Sequence, residues 1–581
     1  MCTKRTSSVT TSTTNNNRDP GRSSFSVAVC LGWPRFVVML ACAALLTNCA
    51  TAPSDTPITN KINKGEGILI PDGALSSTVL PEVLDYTGTG TYQWPDGRIQ
   101  SGHWASGQLQ GIGSETTTRE TYVGQWRNGL RHGHGEIDRA DGSRYVGDFV
   151  DGQPHGKGTE SADAGVYRGT WQAGKRHGQG QFNGADGSVY QGQWHNNLRQ
   201  GFGQLKYANL NQYVGEWMAD RPQGFGHMQY ANSATFEGSW VAGQRQGYGS
   251  YRSTREIVYE GIWHADQRHG YGREKRPTGT EFSGQWRNDQ RQGKGVETHA
   301  DGARHSGLWS ANEITGLGTR LTRAGIKLNG VWLDNTLSYG ALNFPDGSTY
   351  TGTLFGDGGR KVAPSLIAWL QTQAAGRNAH AQLFLGQCFL DYDKPTRTLT
   401  TAEIWLKQAA EAGIAEAQFR AASIEITDNA SAAITLLRQA AAQSHPIAHE
   451  LLGNYYHVGQ FLEQDIAKAI SHYKIAIEKG SINAINNLAW LLATTEVDKF
   501  SKPKQAIELI RPMVLYLGHW QHLDTLAAAH ARLGNTERAI RLQRQALKQI
   551  RDQAHLQVSE VQLDEMIQRL VLYQADKAYV E

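Results

Sequence analysis

Net charge, cysteine, long apolar runs and catalytic signatures are all scarce in this 581-residue chain, and each scarcity removes a class of function. The formal net charge is +3, and acidic and basic residues nearly balance in the central part too, so no bulk field recruits nucleic acid. The five cysteines, at 2, 30, 42, 49 and 388, are too few and too dispersed for a disulfide framework. The apolar run Phe36 to Leu46 is about 11 residues long, too short to span a bilayer and suited to a signal-peptide core. No glycine loop ends in Lys and Ser/Thr to cradle phosphate, and no cysteine pair stands at zinc spacing. The His-Gly dipeptides at His132, His155, His177 and His269 recur once per repeat and cannot converge on one ion. With Gln200, Gln223, Gln246 and Gln292 they read as a solvated polar face. The chain is therefore expected to be no enzyme and to hold neither metal nor cofactor.

Glycine and tryptophan are abundant instead, at 65 and 16 residues. They are organised by a period of about 23 residues running from about Tyr86 to Leu354. Its clearest unit is Tyr213-Val214-Gly215-Glu216-Trp217, then Gly224-Phe225-Gly226, and the cycle restarts at Phe236-Glu237-Gly238-Ser239-Trp240. The anchoring aromatic recurs at Trp104, Trp126, Phe149, Trp171, Trp194, Trp217, Trp240, Trp263, Trp286, Trp309 and Trp332. In Tyr-x-Gly-x-Trp the marked residues alternate, which puts all three on one face of a strand. A turn dipeptide such as Asn128-Gly129, Asp151-Gly152 or Asn288-Asp289 follows each anchor and tolerates positive φ. Closing the hairpin there predicts that Gly215 faces Gly224, Tyr213 faces Gly226 and Trp217 faces position 222. The glycines would leave room for rings across the strand. A second turn (Asp141-Gly142, Asp186-Gly187, Asp301-Gly302, Asp346-Gly347) links each hairpin to the next. At about 4.8 Å per strand the result is an antiparallel ribbon roughly 100 Å long.

This pattern resembles the MORN repeat, with worn units where Gln100, His305 and Leu328 replace the first aromatic. The resemblance implies a membrane-apposed or dimerising scaffold. Upstream, Leu46-Thr47-Asn48-Cys49 resembles a bacterial lipobox, departing from it at Asn48. That implies cleavage before Cys49, lipidation of Cys49 and, with Ala50 next, sorting to the outer membrane on the periplasmic side. After Gly356-Asp357-Gly358-Gly359 the composition turns to Ala, Leu, Gln and Glu. Ala448-x4-Gly453-x2-Tyr456-x2-Gly459 and the segment to Ala484 resemble a SEL-like repeat, with poorer copies from Ala381 and Ala417. Asp524-Thr525-Leu526-Ala527 and its neighbours are similar to a tetratricopeptide repeat. The expected fold is a two-domain repeat protein, an all-β hairpin array followed by an all-α solenoid of helix pairs. Its expected order is signal peptide (1–48), flexible tether (49–84), MORN array (85–356), linker (357–363) and solenoid (364–575).

Function is expected to lie in binding. The leading reading is a lipid-anchored, non-enzymatic scaffold that presents the helical domain to protein partners, with Tyr455 and His457 as candidate contacts. Tyr456 occupies a consensus core position. The alternative is an array that binds anionic lipid headgroups or an acidic envelope polymer, and self-association is compatible with either. A ladder of arginines, Arg131, Arg176, Arg199, Arg245, Arg268 and Arg291, stands five residues after successive Trp anchors. It reads first as guanidinium stacking on the Trp across the strand pair, and second as an anion track. Cys388 reads as a core residue. A hydrolase with dispersed catalytic residues is the least supported reading.

Overall fold

A computed structural model describes residues 67–72, 78–80, 86–356, 361–391, 397–552 and 558–581. Cys49, the leader and most of the expected tether lie outside these residues. Twenty-six strands form one antiparallel sheet. From β3 (Gly88–Gln93) to β26 (Thr349–Thr353) each strand pairs with the next in chain order, so the sheet is an uninterrupted meander of hairpins. Two strands precede it inside the segment expected to be tether: β1 (Gly67–Pro71) pairs with both β3 and β2 (Thr78–Leu80). The sheet therefore begins before position 85.

The turns follow from residue chemistry. Both central residues of the Trp hairpins have positive φ, for example Asn288 (51°) and Asp289 (66°), as a two-residue primed turn requires. In the connecting turns Asp141 Oδ1 accepts from the Ser143 amide at 2.9 Å, and Gly142 takes the left-handed position at φ 83°.

The register departs from expectation at one point in every repeat. Between β14 (Gln212–Met218) and β15 (Arg221–Gln229), Trp217 does face Pro222, but Gly215 faces Gly226 and Tyr213 faces Met228. Gly224 (φ 64°) and Phe225 are pushed out of the ladder as a two-residue bulge. A shift of two preserves which face each side chain occupies, so the alternation stays legible while the pairing does not. The first glycine of Gly-x-Gly is thus needed for backbone conformation, and the second for space.

Those second glycines pair strand to strand with the glycines of Tyr-x-Gly-x-Trp, without a break. Gly203, Gly215, Gly226, Gly238 and Gly249 are consecutive Cα partners, and the row continues to Gly90 at one end and Gly352 at the other. A Cβ on Gly215 would lie 2.6 Å from Gly226 Cα and 2.7 Å from the Tyr213 hydroxyl. The Tyr ring lies flat over this glycine spine and fills the space of the missing side chains. Its hydroxyl donates to the Glu216 carbonyl at 3.0 Å, and the Trp217 indole N–H donates back to the Gly203 carbonyl at 3.2 Å. The rings then meet edge to face along the sheet. Tyr213 sits 5.2 Å from Trp217 and 5.4 Å from Trp240, and Phe236 continues the chain at 5.3 Å from Trp240. This aromatic ladder is the array's hydrophobic core.

Among the described residues twelve helices follow, from α1 (Pro364–Ala375) to α12 (Glu560–Gln574). The pairs are α2 (Ala379–Asp391) with α3 (Arg397–Glu411), α4 (Ala415–Glu425) with α5 (Ala430–Ala442), and α6 (Pro446–Val458) with α7 (Ile466–Glu478). Next come α8 (Asn483–Thr494) with α9 (Pro503–Tyr516), and α10 (Trp520–Arg532) with α11 (Thr536–Asp552). Asn429 and Asp465 cap α5 and α7 through their side chains, and Ser559 with Gln562 forms a capping box on α12. Small residues permit close packing: a Cβ on Gly453 would lie 2.7 Å from the Tyr473 ring.

The described end of the expected linker is not a free spacer. β27 (Phe355–Gly356) pairs with β28 (Lys361–Val362), and the Ala363 amide donates to the Leu354 carbonyl at 2.9 Å. From there the solenoid runs back along the connecting turns of the array. Asn378 before α2 donates to the Ser348 hydroxyl at 2.7 Å, and Arg323 meets Glu416 of α4 at 2.9 Å. Gly480 after α7 packs on the backbone of Ala300 and Asp301, where its own Cβ would come within 2.6 Å of the Asp301 nitrogen.

Candidate interaction surfaces

The arginine ladder lies on the ring side of the sheet. Each arginine is the Cα partner of its expected Trp, as in Trp240 with Arg245 and Trp263 with Arg268. The guanidinium, however, rests on the next repeat's indole: Arg245 is 4.2 Å from Trp263, Arg268 4.2 Å from Trp286 and Arg199 4.6 Å from Trp217. The reason is the lean of the indole. Trp263 donates to the carbonyl of Gly249, on the strand that carries Arg245, and so reaches back over that arginine. Arg131, Arg176 and Arg291 depart from this pattern and lie nearest the first aromatic of their own repeat, Tyr122 at 4.9 Å, Tyr167 at 5.0 Å and Phe282 at 4.4 Å.

All six arginines also hold carboxylates. Arg131 pairs with Glu115 and Glu120, Arg176 with Glu160, Arg199 with Asp220 and Arg245 with Asp266. Arg268 and Arg291 share Glu274 at 2.6 and 3.2 Å. Burial opposes the charge on Glu274, but Arg276, Arg268 and Arg291 outweigh it and hold its pKa below the usual range. The ladder is a neutralised, ring-stacked network. The glutamine row has a structural role as well, since Gln223 and Gln246 accept from the amides of Ala242 and Ala265 in the following turn, both at 3.0 Å.

The junction of the two repeat arrays holds another buried polar cluster. Glu416 receives Arg323 at 2.9 Å, Arg420 at 2.7 Å and the His445 Nε2–H at 3.0 Å. Burial would raise its pKa, but the His445 hydrogen bond and the two arginines bring it down to about 2. His445 Nδ1 accepts from the Ala448 amide at 3.2 Å, so the imidazole is held neutral with its proton on Nε2, and burial lowers its pKa. An orientation lock is the chemistry such a group performs.

In the helical domain Tyr455 is half-buried, edge to face with Phe461 at 5.2 Å, and His457 is buried near Tyr473. Tyr456 stacks on His472 at 5.6 Å under Lys468. Cys388 is buried with the α2 core. The open surface lies elsewhere, on α11. Arg538, Arg541, Arg544, Lys548 and Arg551 line its exposed side, while Ala539, Gln543 and Ala546 face the core. Arg541 has Glu537 at 3.5 Å, and Arg538, Arg544 and Lys548 have no carboxylate within ion-pair distance among the described residues. The spacing Arg538-x2-Arg541-x2-Arg544-x3-Lys548-x2-Arg551 was available in the sequence as a helical basic stripe. It was hidden by the near-zero total charge. Among the described residues no group of His, Cys, Asp and Glu could hold a metal ion, and no helix is long and apolar enough to cross a membrane.

Nine segments of the chain match the MORN repeat: 86–97, 122–144, 145–165, 167–189, 190–212, 213–235, 236–254, 259–281 and 282–304. Comparison with curated proteins gives no match. Among solved structures the chain is similar to a Sel1 repeat protein from Oxalobacter formigenes (20% identity, 35% of this chain and 90% of that one, TM-score 0.27). A putative Sel1 repeat protein from Klebsiella pneumoniae is similar at 16% identity over 36% of this chain and 99% of that one, TM-score 0.25. So is a protective antigen of uropathogenic Escherichia coli with an SLR fold, at 17% identity over 35% and 56%, TM-score 0.24.

Proposed function

We propose that this chain, built on an array of MORN repeats, is a non-catalytic scaffold whose helical domain captures an acidic protein partner on α11. The observation that carries the reading is the cation row Arg538, Arg544 and Lys548, exposed and without carboxylates among the described residues, against a ladder whose arginines are all neutralised. Unpaired cations in water attract a complementary surface and set its orientation and on-rate. The docking of the solenoid loops on the array turns, through Arg323 and Glu416, gives that row a fixed carrier. Lipidation at Cys49 would tie the carrier to the bacterial envelope, at the outer membrane, since several acyl chains anchor stably where one does not.

Two experiments test this. Partners recovered by the full chain should be lost, or released by moderate salt, in the triple variant Arg541→Glu/Arg544→Glu/Lys548→Glu. Recovery of the same partners by both proteins refutes the α11 assignment. Wild type and Cys49→Ala should partition differently between membrane and soluble fractions, and equal membrane retention removes the lipid anchor. Binding of anionic vesicles that survives the α11 triple variant and falls with Arg199→Gln/Arg245→Gln would return function to the ladder.

A further inference from the structure

The face of the sheet opposite the aromatic ladder carries a second row of rings, independent of the scaffold role. In each Gly-x-Gly the middle residue projects to this side. Four consecutive repeats place an aromatic there: Phe202, Phe225, Tyr248 and Tyr271, which are 60%, 58%, 61% and 64% exposed. They stand on β13 (Leu198–Lys206), β15, β17 (Gln244–Arg252) and β19 (Gln267–Lys275), two strands apart. At the usual strand spacing the rings recur at ~9.6 Å and cover ~29 Å from first to fourth. Their cross-strand partners are Glu216, Ser239, Ile262 and Gln285. The row is one residue wide. On the same strands it is flanked by Gln200, Gln223, Gln246 and His269 on one side and by Gln204, His227, Ser250 and Arg273 on the other, Arg273 being paired with Glu281 at 2.6 Å.

Width, charge and hydrogen-bonding state select the occupant. A protein interface buries about 800 Å² per partner around an apolar centre, which a single file of rings between amides does not provide. An anionic membrane or a nucleic acid needs a run of free cations, and here the one arginine beside the row, Arg273, is paired with Glu281, while the cross-strand partners include the carboxylate Glu216. An added peptide strand needs free backbone donors, and here every strand is already paired on both sides. What remains is a neutral chain whose units offer a flat C–H face to a ring and hydroxyls to amides. The carbonyl oxygens of Gln223 and Gln246 are used on the turns, which leaves the Gln223 NH₂ as a donor on this face, while that of Gln246 is hydrogen-bonded to His264 Nδ1 at 3.0 Å. The two-sugar repeat of an extended β-1,4-linked polysaccharide is close to the ring spacing, so each ring would meet an equivalent sugar. We propose that the open face of the array, along Phe202, Phe225, Tyr248 and Tyr271, binds an uncharged β-1,4-linked glycan strand.

The test is calorimetry of the full chain with cellohexaose and with chitohexaose, at low and high salt, with dynamic light scattering in parallel. At least one hexasaccharide should bind, with affinity unchanged by salt. Tyr271→Ala should weaken binding about tenfold and Tyr248→Ala/Tyr271→Ala about a hundredfold, one stacking ring being worth about one decade of affinity. Both rings are exposed, so the melting temperature should not move, and Tyr248→Phe should bind as wild type does. The proposal is overturned if neither sugar binds, or if binding is the same in the double alanine variant. It is equally overturned if the double variant instead changes the particle mass or abolishes adsorption to phosphatidylglycerol vesicles while sugar binding is absent.

Discussion

His305 is the imperfect rung of the aromatic ladder, and it makes the packing argument measurable. It occupies the position filled by Tyr213, Phe236, Tyr259 and Phe282 in the preceding repeats, edge to face with Trp309 at 5.8 Å and Trp332 at 4.9 Å. The side chain is 1% exposed and neither ring nitrogen has a hydrogen-bond partner. Burial, reinforced by Arg320, lowers its pKa to about 4. A Tyr here has a ready acceptor, because the tyrosines at 122, 145, 167, 190, 213 and 259 all donate to the carbonyl three residues on, at 2.7–3.1 Å. In this repeat that carbonyl belongs to Leu308. Relieving the stranded imidazole and adding one hydrogen bond should make His305→Tyr about 2 kcal/mol more stable at neutral pH. The pH dependence has a definite sign. With a folded pKa of about 4 and an unfolded one of about 6.5, the folded state binds fewer protons between those values, so stability is lost as pH falls through 6.5. Between pH 7 and pH 5 that loss is about 2 kcal/mol in wild type and absent in the variant, so the variant's advantage should double. Urea unfolding followed by tryptophan fluorescence at both pH values measures it. An advantage that is the same at pH 5 as at pH 7 refutes the buried neutral imidazole, and a loss of stability at pH 7 refutes the packing.

Three other outcomes follow from the same geometry. Gly226→Ala should destabilise the array by about 3 kcal/mol, because its Cβ would sit about 2.5 Å from the Tyr213 ring, and a normal urea midpoint would disprove the spine. Leu210 holds the left-handed turn position (φ 69°) that Gly142 and Gly187 occupy in other repeats, so Leu210→Gly should gain about 1 kcal/mol, read as a higher melting temperature. Glu416→Gln should cost about 3 kcal/mol by stranding Arg323 and Arg420, and it should raise hydrogen exchange in α4 and in the Arg323 turn together. Because Glu416 has its pKa lowered to about 2, the wild-type contribution is complete above pH 4.5 and fades as pH falls below it.

Much of this architecture was legible because two of its determinants are local. The alternation of Tyr213, Gly215 and Trp217 fixes a face, and Asn288-Asp289 fixes a turn, each without reference to distant residues. The pairing of Gly215 with Gly226 was not legible. A two-residue bulge leaves every side chain on its expected face, so the periodicity carries no trace of it. The left-handed Gly224 is its only signature, and glycine had a competing explanation as a void for a ring. The docking of the solenoid on the array was out of reach for another reason. Arg323 and Glu416 are 93 positions apart and each looks like an ordinary surface charge. Tyr455 and His457 stand at a helix end as polar aromatic residues, and the α6 packing leaves Tyr455 half-buried and His457 buried. The basic side of α11 carries a local signal, a cation on nearly every turn, which the near-zero charge of the whole chain does not reveal.

The bulge also explains why the arginines stack one repeat further on than their pairing suggests. With Gly247 and Tyr248 displaced from the ladder, Arg245 remains opposite Trp240, but Trp240 is drawn away to the Gly226 carbonyl at 3.3 Å. The ring that comes to Arg245 is Trp263, held at 3.3 Å by the carbonyl of Gly249 on the same strand as the arginine. From Trp171 to Trp286 each Trp therefore secures the preceding hairpin, and Arg199, Arg245 and Arg268 are each covered by the following one. A hairpin in this sheet is incomplete without its neighbour on each side, which is the coupling that gives a linear array of repeats its cooperativity. It follows that the terminal rungs must be closed by something other than a repeat. At the far end that closure is helical: Phe344 and Tyr350 lie against Trp369 of α1 at 5.8 and 5.5 Å. The first helix is thus the cap of the β array as well as the start of the solenoid, and that double role is what makes one structural unit of the two repeat types.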